Sequence, residues 1–221
     1  MTHIVRIIQK NWLTHDVMQI KLEKPLSYTY YAGQAIEVTI DNPRFHGEQS
    51  PFTLTSLNSD ALLELIFKVY SEHDGMTLGI SNLKEGDTLI ISDPWDSYKN
   101  LGPGVFIAGG TGITPFIAIL RQLRAEGRAT GSLLFFYNKT EKDIFLYDEL
   151  SQMLGKNFIN ILTREKRKNY LFGRIDLKFL KNHITDYKQP FYICGPGNFA
   201  EQIRDQLIEL GIEKDMVNIG D

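Results

Sequence analysis

The stretch Val105-Phe-Ile-Ala-Gly-Gly-Thr-Gly-Ile-Thr-Pro-Phe116 decides the fold of its half of the chain. Its first four residues are apolar and predict a buried strand, and the glycines that follow let the backbone turn sharply and approach a ligand closely. Thr114 is the predicted N-cap of the next helix, and Pro115 suits the first helical position because its missing N–H costs nothing there. A strand, a glycine turn and a helix N-terminus together form an anion site, so phosphate binding is predicted. A plain joint between a strand and a helix is the alternative.

The rest of the chain from residue 100 onward alternates strand-like apolar runs with helical patterns. The predicted strands are Val105–Ala108, Leu133–Tyr137, Phe158–Leu162, Phe191–Cys194 and Val217–Ile219. The predicted helical segments between them are Phe116–Glu126, Ile144–Leu154, 176–183 and Asn198–Leu210. This alternation predicts a doubly wound parallel α/β domain, whose ligands lie at the carboxyl ends of the strands. Those ends carry Gly109–Thr114, Asn138–Asp143, Thr163–Lys168 and Cys194–Asn198.

The N-terminal half, residues 1–99, has a β pattern instead. Short apolar or alternating segments separated by turn residues predict strands at Ile4–Ile8, Val17–Leu22, Ala35–Ile40 and Leu62–Tyr70. Many short strands at this spacing favour a closed antiparallel barrel, because closure hides the sheet edges. Leu101-Gly-Pro-Gly104 is the predicted linker. We therefore predict two domains, residues 1–99 and residues 100–221.

Composition narrows the class of protein further. The net charge of −3 over 221 residues carries no basic signature, so nucleic acid is not an expected partner. Apolar runs are short and the first residues lack a signal-peptide stretch, so we expect a cytoplasmic protein without a membrane span. The single cysteine, Cys194, excludes an internal disulfide and a cysteine-ligated cluster. The five histidines are scattered, and no metal site is predicted.

Three pieces of the predicted barrel are candidates for a functional role. Ala32-Gly33-Gln34 is a turn that leads straight into a strand. Ser50-Pro-Phe-Thr-Leu-Thr-Ser56 carries several hydroxyls around one aromatic ring. Gly75-Met76-Thr77 follows Phe67-Lys-Val-Tyr70 and precedes a helical turn predicted to end at Leu83, so its N–H groups and the Thr hydroxyl form a candidate second phosphate cradle. An ordinary structural role is the alternative for each piece.

Taken in order, these motifs resemble the ferredoxin–NAD(P)H reductase superfamily over nearly the whole chain. Pro51–Ser56 resembles its flavin motif, and Tyr31–Gln34 resembles the entry to its flavin-side strand. Gly109–Pro115 is similar to its pyridine-nucleotide turn, and Cys194–Phe199 is similar to its Cys-Gly-Pro motif. The segment Asn138–Leu146 is most similar to cytochrome b5 reductase, a member of this superfamily.

The resemblance implies a six-stranded flavin-binding barrel followed by an NAD(P)-binding α/β domain. It implies a reductase in which hydride passes from nicotinamide C4 to the N5 atom of bound FAD, with FMN as the alternative flavin. Electrons would then pass to a separate small carrier such as flavodoxin or ferredoxin. Two other functions stay open: a flavin reductase that releases reduced flavin, and an electron-transfer subunit that works only inside a larger complex.

The resemblance also implies roles for individual residues. Thr53 would donate a hydrogen bond near flavin N5, and Cys194 would position the nicotinamide without acting as a nucleophile. The flavin-side residues would be Phe52, Thr53, Leu54, Thr55, Val69, Tyr70, Gly75, Met76 and Thr77. The coenzyme-side residues would be Gly110, Thr111, Gly112, Thr114, Asp143, Arg164, Gly195 and Pro196.

Three features depart from the family pattern. Ser50 stands where the flavin motif has an arginine that pairs with a phosphate, and Arg44 and Lys68 are the candidate replacements. The sequence ends without the aromatic residue that plant-type members stack on the flavin, so an open nicotinamide face is expected. The coenzyme signals conflict, because Asp143 matches an NADH-associated carboxylate whereas the basic run from Thr163 to Lys168 resembles an element that binds the 2′-phosphate of NADPH.

Overall fold

The computed structural model describes residues 1–45 and 47–220. The first sheet is antiparallel and contains the strands β1 (Thr2–Trp12), β2 (Val17–Glu23), β3 (Gln34–Ile40), β4 (Ser50–Thr53), β5 (Leu62–Lys68), β6 (Thr88–Ser92) and β7 (Trp95–Asp96). Six strands follow the order β4-β3-β6-β1-β2-β5, and the short β7 pairs with β3 outside this path. A bridge between Leu54 and Leu65 joins the two ends of the sheet. The predicted six-stranded barrel is therefore confirmed.

Alternation of side chains explains why this sheet closes around a core. On β1, Val5 and Ile7 are buried whereas Ile4 and Arg6 are exposed, as the two-residue period of a strand requires. Helix α1 (Met76–Asn82) packs Ile80 into the same core and ends at its C-cap Leu83, as the sequence predicts. The predicted strand at 62–70 ends two residues early, and β6 was not predicted.

The second sheet is parallel and is interleaved with helices. Its elements are β8 (Val105–Gly109), α2 (Thr114–Ala125), β9 (Leu133–Asn138), α3 (Tyr147–Leu154), β10 (Phe158–Leu162), β11 (Leu171–Phe172), α4 (Leu177–His183), β12 (Phe191–Cys194), α5 (Phe199–Glu209) and β13 (Val217–Asn218). The strand order is β11-β10-β9-β8-β12-β13, with a separate apolar core on each face. The predicted doubly wound α/β architecture is confirmed.

Two predicted helix starts in this half are wrong. Thr114 is the first residue of α2 and not its N-cap, because residues Gly110–Ile113 form a 3-10 turn that continues directly into the helix, with Ile113 as the N-cap. The segment predicted to be helical from Ile144 becomes α3 only at Tyr147. A 3-10 turn with its own capping box occupies Glu141–Asp143 just before it.

One of the buried clusters contains residues of both sheets. Val17, Ala32 and Ile66 of the barrel belong to the same buried cluster as Ile113 and Phe116 of the second half. This continuity fixes the barrel against α2, the helix that starts at the glycine turn. The division at residue 99 stays a prediction. Within residues 1–45 and 47–220, no helix has both the length and the apolar character needed to cross a membrane.

Candidate active site

The glycine turn after β8 packs directly on the end of β12. Gly110 has φ +55°, and the space where its side chain would stand is open. A Cβ atom on Gly112 would lie 2.5 Å from the carbonyl oxygen of Cys194 and 2.8 Å from the nitrogen of Gly195. Because both neighbours are backbone atoms, only glycine permits this approach. The structure thus brings together two motifs that are more than 80 residues apart in the sequence.

Asn138, the last residue of β9, lies at the same sheet edge. Its side chain is 5% exposed, and its Nδ2 atom has no hydrogen-bond partner among the described residues. Its carbonyl oxygen accepts from the backbone N–H of Thr163 at 2.9 Å. A buried amide without a partner is costly, and a polar ligand group at this edge would satisfy it. The edge therefore fits a dinucleotide, although the predicted coenzyme residues omit the Asn138 side chain.

Cys194 lies at the end of β12 and is partly buried. Burial raises the pKa of its thiol, so the sulfur stays protonated near neutral pH. A protonated thiol suits the predicted role of a positioning contact and does not suit a nucleophile. The neighbouring Gly195 is half-buried and Pro196 is exposed at the same edge.

The two residues predicted to discriminate between NADH and NADPH, Asp143 and Arg164, differ in their hydrogen bonds and ion pairs. The Asp143 carboxylate accepts from both the backbone N–H and the hydroxyl of Thr140, at 2.7 and 2.8 Å. Arg164 is exposed and forms no ion pair within the described part of the chain, whereas the neighbouring Arg167 contacts Glu165 at 2.7 Å. Arg164 is therefore a cation without an ion pair among the described residues, as are the exposed Lys166 and Lys168 of the same loop. One oxygen of the Asp143 carboxylate is bonded within its own loop.

A cluster that the sequence did not predict joins the two halves beside this loop. Single ligand atoms of His15, Asp16 and Asp143 lie within 4.8 Å of one another. The ammonium group of Lys68 pairs with Asp16, and the Asp143 carboxylate is bonded to Thr140. Lys68 and Thr140 therefore already bond the two carboxylates, and His15 of the barrel lies 4.0 Å from the second oxygen of Asp143. The cluster is a polar link between the barrel and the α/β domain.

On the flavin side, the strand that carries the predicted motif is only partly accessible. Thr53 is half-buried on β4, opposite Ala35 of β3. Phe52 is 7% exposed, and its ring packs in the barrel core with its centroid 5.3 Å from that of Phe67. Leu54 and Thr55 are fully buried. The flavin-side role implied for Phe52 stays a prediction, and Thr53 is more accessible than Phe52.

The predicted flavin-phosphate cradle lies at the start of α1. Gly75 has open space around it, and no side chain among residues 1–45 and 47–220 caps the helix, so within this part of the chain the first N–H groups have no side-chain partner. Thr77 is half-buried and Met76 is buried beneath the cradle. The preceding strand end contributes Val69, which is buried, and Tyr70, which is exposed.

The structure distinguishes the two candidate replacements for the missing arginine. Lys68 is paired with Asp16, on the side of the barrel that faces the α/β domain. Arg44 pairs with Asp74, the residue before Gly75, and its guanidinium lies 5.4 Å from the ring centroid of Phe45. Both candidate cations are thus already paired with a carboxylate. The N–H groups at the start of α1 and the hydroxyl of Thr77 form the donor set that fits a flavin phosphate arm.

Two family models match the chain. The model described as "FAD-binding domain" matches residues 3–85, and the model described as "Oxidoreductase NAD-binding domain" matches residues 106–205. Solved structures with the same fold include the FAD/NAD-binding domain of a nitric oxide dioxygenase from Vibrio cholerae, with a TM-score of 0.85, 21% identity and coverage of 97% of this chain and 95% of that one. A ferredoxin NADP+ reductase from Neisseria gonorrhoeae with bound FAD and NADP has a TM-score of 0.82, 20% identity and coverage of 95% and 92%.

Curated relatives agree with these matches. Nitrate reductase [NADPH] of Beauveria bassiana is 26% identical over 71% of this chain, and the xylene/toluene monooxygenase electron transfer component of Pseudomonas putida is 23% identical over 96% of it. The chain spans only 21% and 63% of these two proteins. NADH-cytochrome b5 reductase 2 of Danio rerio is 26% identical over 96% of this chain and 82% of its own length. The chain belongs to the ferredoxin–NAD(P)H reductase superfamily, with an FAD-binding and an NAD-binding domain.

Proposed function

We propose that the protein is a flavin-dependent NAD(P)H oxidoreductase that passes electrons to a separate carrier protein such as a flavodoxin or a ferredoxin. The close packing of the Gly112 turn on Cys194 and Gly195 is the observation that supports it most directly. This packing creates one edge that fits a dinucleotide, in a chain whose other half matches an FAD-binding domain. The analogy for a separate carrier comes from two similar proteins, the xylene/toluene monooxygenase electron transfer component and the ferredoxin NADP+ reductase.

The residues of the chain would bind and orient the reactants. The N–H groups of the glycine turn bind the coenzyme phosphates, and the Asn138 amide bonds a polar group of the coenzyme. The protonated thiol of Cys194 borders the nicotinamide, and the hydroxyl of Thr53 donates to the flavin. When bound, the cofactors supply the chemistry itself, hydride transfer from nicotinamide C4 to flavin N5. Holding both rings at reacting distance is the contribution of the protein.

The direct test is to add FAD to the purified protein, remove unbound flavin and record the visible spectrum. We expect stoichiometric FAD binding and anaerobic bleaching of the flavin absorbance by NAD(P)H. Free FAD with the same coenzyme is the control for non-enzymatic reduction. A protein that takes up neither FAD nor FMN, or that binds flavin and is not reduced by either coenzyme, would contradict the proposal.

We further propose that NADPH is the preferred coenzyme, because Arg164 is free for a 2′-phosphate and the Asp143 carboxylate is bonded to Thr140. Arg164→Ala is expected to raise the Kd for NADPH about tenfold or more, since hydrogen bonds to charged groups contribute roughly 1.5–3 kcal/mol. The Kd for NADH should change less than about twofold by the same reasoning. Equilibrium titration of the FAD-loaded protein measures both constants.

Arg167→Ala is the matched control for this prediction. It removes the same charge from the same loop, but its guanidinium already contacts Glu165 at 2.7 Å. It should leave both Kd values nearly unchanged. Tighter binding of NADH than of NADPH by the unmodified protein would show that the coenzyme assignment is wrong.

Ser50 gives specific support to a second function, a flavin reductase that releases reduced flavin. The strand position that holds a phosphate-pairing arginine in the family carries a hydroxyl here, and Arg44 is engaged with Asp74. Gel filtration after reduction distinguishes the two functions. Flavin that co-elutes with the reduced protein favours the carrier-linked reductase, and flavin that separates from it favours the flavin reductase.

A further inference from the structure

One arginine side chain connects the barrel to the helix of the glycine turn. Arg121 is the eighth residue of α2 and is 18% exposed. Its Nη1 atom donates to the carbonyl oxygen of Thr55 at 2.8 Å and to the carboxylate of Glu64 at 2.6 Å. Its Nε and Nη2 atoms donate to the two carboxylate oxygens of Glu149, on α3, at 2.6 and 2.9 Å. The guanidinium is thus bonded to both halves of the protein.

The barrel side of this contact is itself rigidly held. Glu64 is 7% exposed on β5, and its carboxylate also accepts from the hydroxyl of Thr55 and from the amide of Gln19, each at 2.8 Å. Burial by itself lowers the pKa of Arg121, but the carboxylates of Glu149 and Glu64 more than offset this effect and raise the pKa above its ordinary value. The guanidinium is therefore a permanent cation in a network whose carboxylates are well bonded.

The position of Arg121 connects the two halves of the candidate active site. Helix α2 starts at Thr114, immediately after the glycine turn, and Arg121 lies about 10 Å further along its axis at 1.5 Å per residue. On the barrel side, the bonded carbonyl belongs to Thr55, two residues after Thr53 in the flavin motif. A helix is a stiff element, so a bond at Arg121 restricts where the glycine turn stands relative to Thr53.

We propose that Arg121 is a positioning residue that fixes the nicotinamide-binding turn relative to the flavin-binding strand. The inference rests on the proposed function, because it assigns Arg121 to the spacing of the two cofactor sites. A buried ion pair is weak evidence of a contribution to stability, since neutral replacements of such networks often leave stability unchanged. The rate of the reaction, by contrast, depends steeply on the spacing of the two cofactors. A displacement of one of them by about 1 Å can lower the rate about a hundredfold.

The test uses Arg121→Met combined with Glu64→Gln, which avoids leaving a charged Glu64 buried without its partner. Flavin reduction at saturating coenzyme, followed in a stopped-flow instrument, is expected to slow about tenfold or more. The Kd values for FAD and for the coenzyme should stay within about twofold, because both cofactor sites keep their own residues. Arg124→Met is the matched control, since it removes an exposed arginine from the same helix. The flavin of this variant should be reduced by the coenzyme at the normal rate.

An unchanged reduction rate in the double variant would overturn the proposal. A rate loss accompanied by an equal loss of FAD affinity would also overturn it, because the effect would then be general destabilisation. Calorimetry of the cofactor-free proteins tests, without an activity measurement, whether Arg121 connects the barrel to the α/β domain. We expect one unfolding transition for the unmodified chain and two separated transitions for the double variant, and one transition for both would contradict the proposal. If the unmodified chain binds no flavin, the proposed function fails while calorimetry still tests the link.

Discussion

Gly112→Ala is expected to lower the rate of flavin reduction by NAD(P)H about a hundredfold or more, while FAD stays bound to the barrel. The new Cβ atom would lie 2.5 Å from the carbonyl oxygen of Cys194, a distance that real Cβ atoms do not show. Because that neighbour is backbone, the turn and the end of β12 must move apart. A shift of about 1 Å at a reacting centre is enough for a loss of this size. Stopped-flow reduction and FAD titration measure the two quantities.

Gly127→Asn is the control for this substitution. Gly127 follows α2 with φ +70° and has open space where a side chain would stand, outside the candidate site. Asparagine tolerates the left-handed conformation, so this variant should bind FAD with normal affinity, and NAD(P)H should reduce its flavin at the normal rate. If Gly112→Ala reduces its flavin within about threefold of the normal rate, the close approach of the two motifs does not matter for function.

Tyr98→Ala is expected to lower the free energy of unfolding by about 3–5 kcal/mol, the usual cost of truncating a large buried aromatic residue. Tyr98 is 7% exposed and lies between the two halves. Its hydroxyl donates to the carbonyl oxygens of Ile193 and Ile219 at 2.9 and 2.7 Å, and its backbone N–H donates to Gly33 at 2.9 Å. Burial raises the pKa of Tyr98, so the hydroxyl keeps the proton that it donates. Denaturant unfolding measures the loss.

Tyr98→Phe separates the ring from the hydroxyl. It keeps the packing and removes one donor from two carbonyl groups, so a loss of about 1–3 kcal/mol is expected. Tyr28→Phe is the comparison, because the Tyr28 hydroxyl bonds the carbonyl oxygen of Ser92 inside the barrel at 2.6 Å. Only Tyr98→Phe should reduce the coupling between the unfolding of the two halves. Equal losses for the alanine and phenylalanine variants would show that ring packing contributes little.

Much of the fold could be predicted because its signals are local. The alternation of Ala35–Ile40 and the apolar runs Phe158–Leu162 and Phe191–Cys194 carry their strand periods within a few residues, and the structure confirms them. The predicted helical segment Phe116–Glu126 ends within one residue of the end of α2, because the left-handed Gly127 that follows is a one-residue signal. The two wrong helix starts have different reasons. Before α2, a 3-10 turn runs directly into the helix, and residue types do not distinguish it from the first helical turn. Before α3, Leu146 has a left-handed backbone with φ +53°, so the helix begins only at Tyr147.

The sequence by itself determined the two-domain architecture, the glycine turn and the superfamily, because each depends on residues that are close together along the chain. Only the tertiary structure decided that Gly112 touches Cys194 and that Arg121 joins Thr55 to Glu149. It also decided that the Asn138 amide is buried with no hydrogen-bond partner for its nitrogen in the described part of the chain. These contacts join distant segments, and their distances depend on how the sheets and helices pack. Local periodicity contains no information about that packing. The motifs of the candidate site can therefore be identified in the sequence, and the fold sets the distances between them.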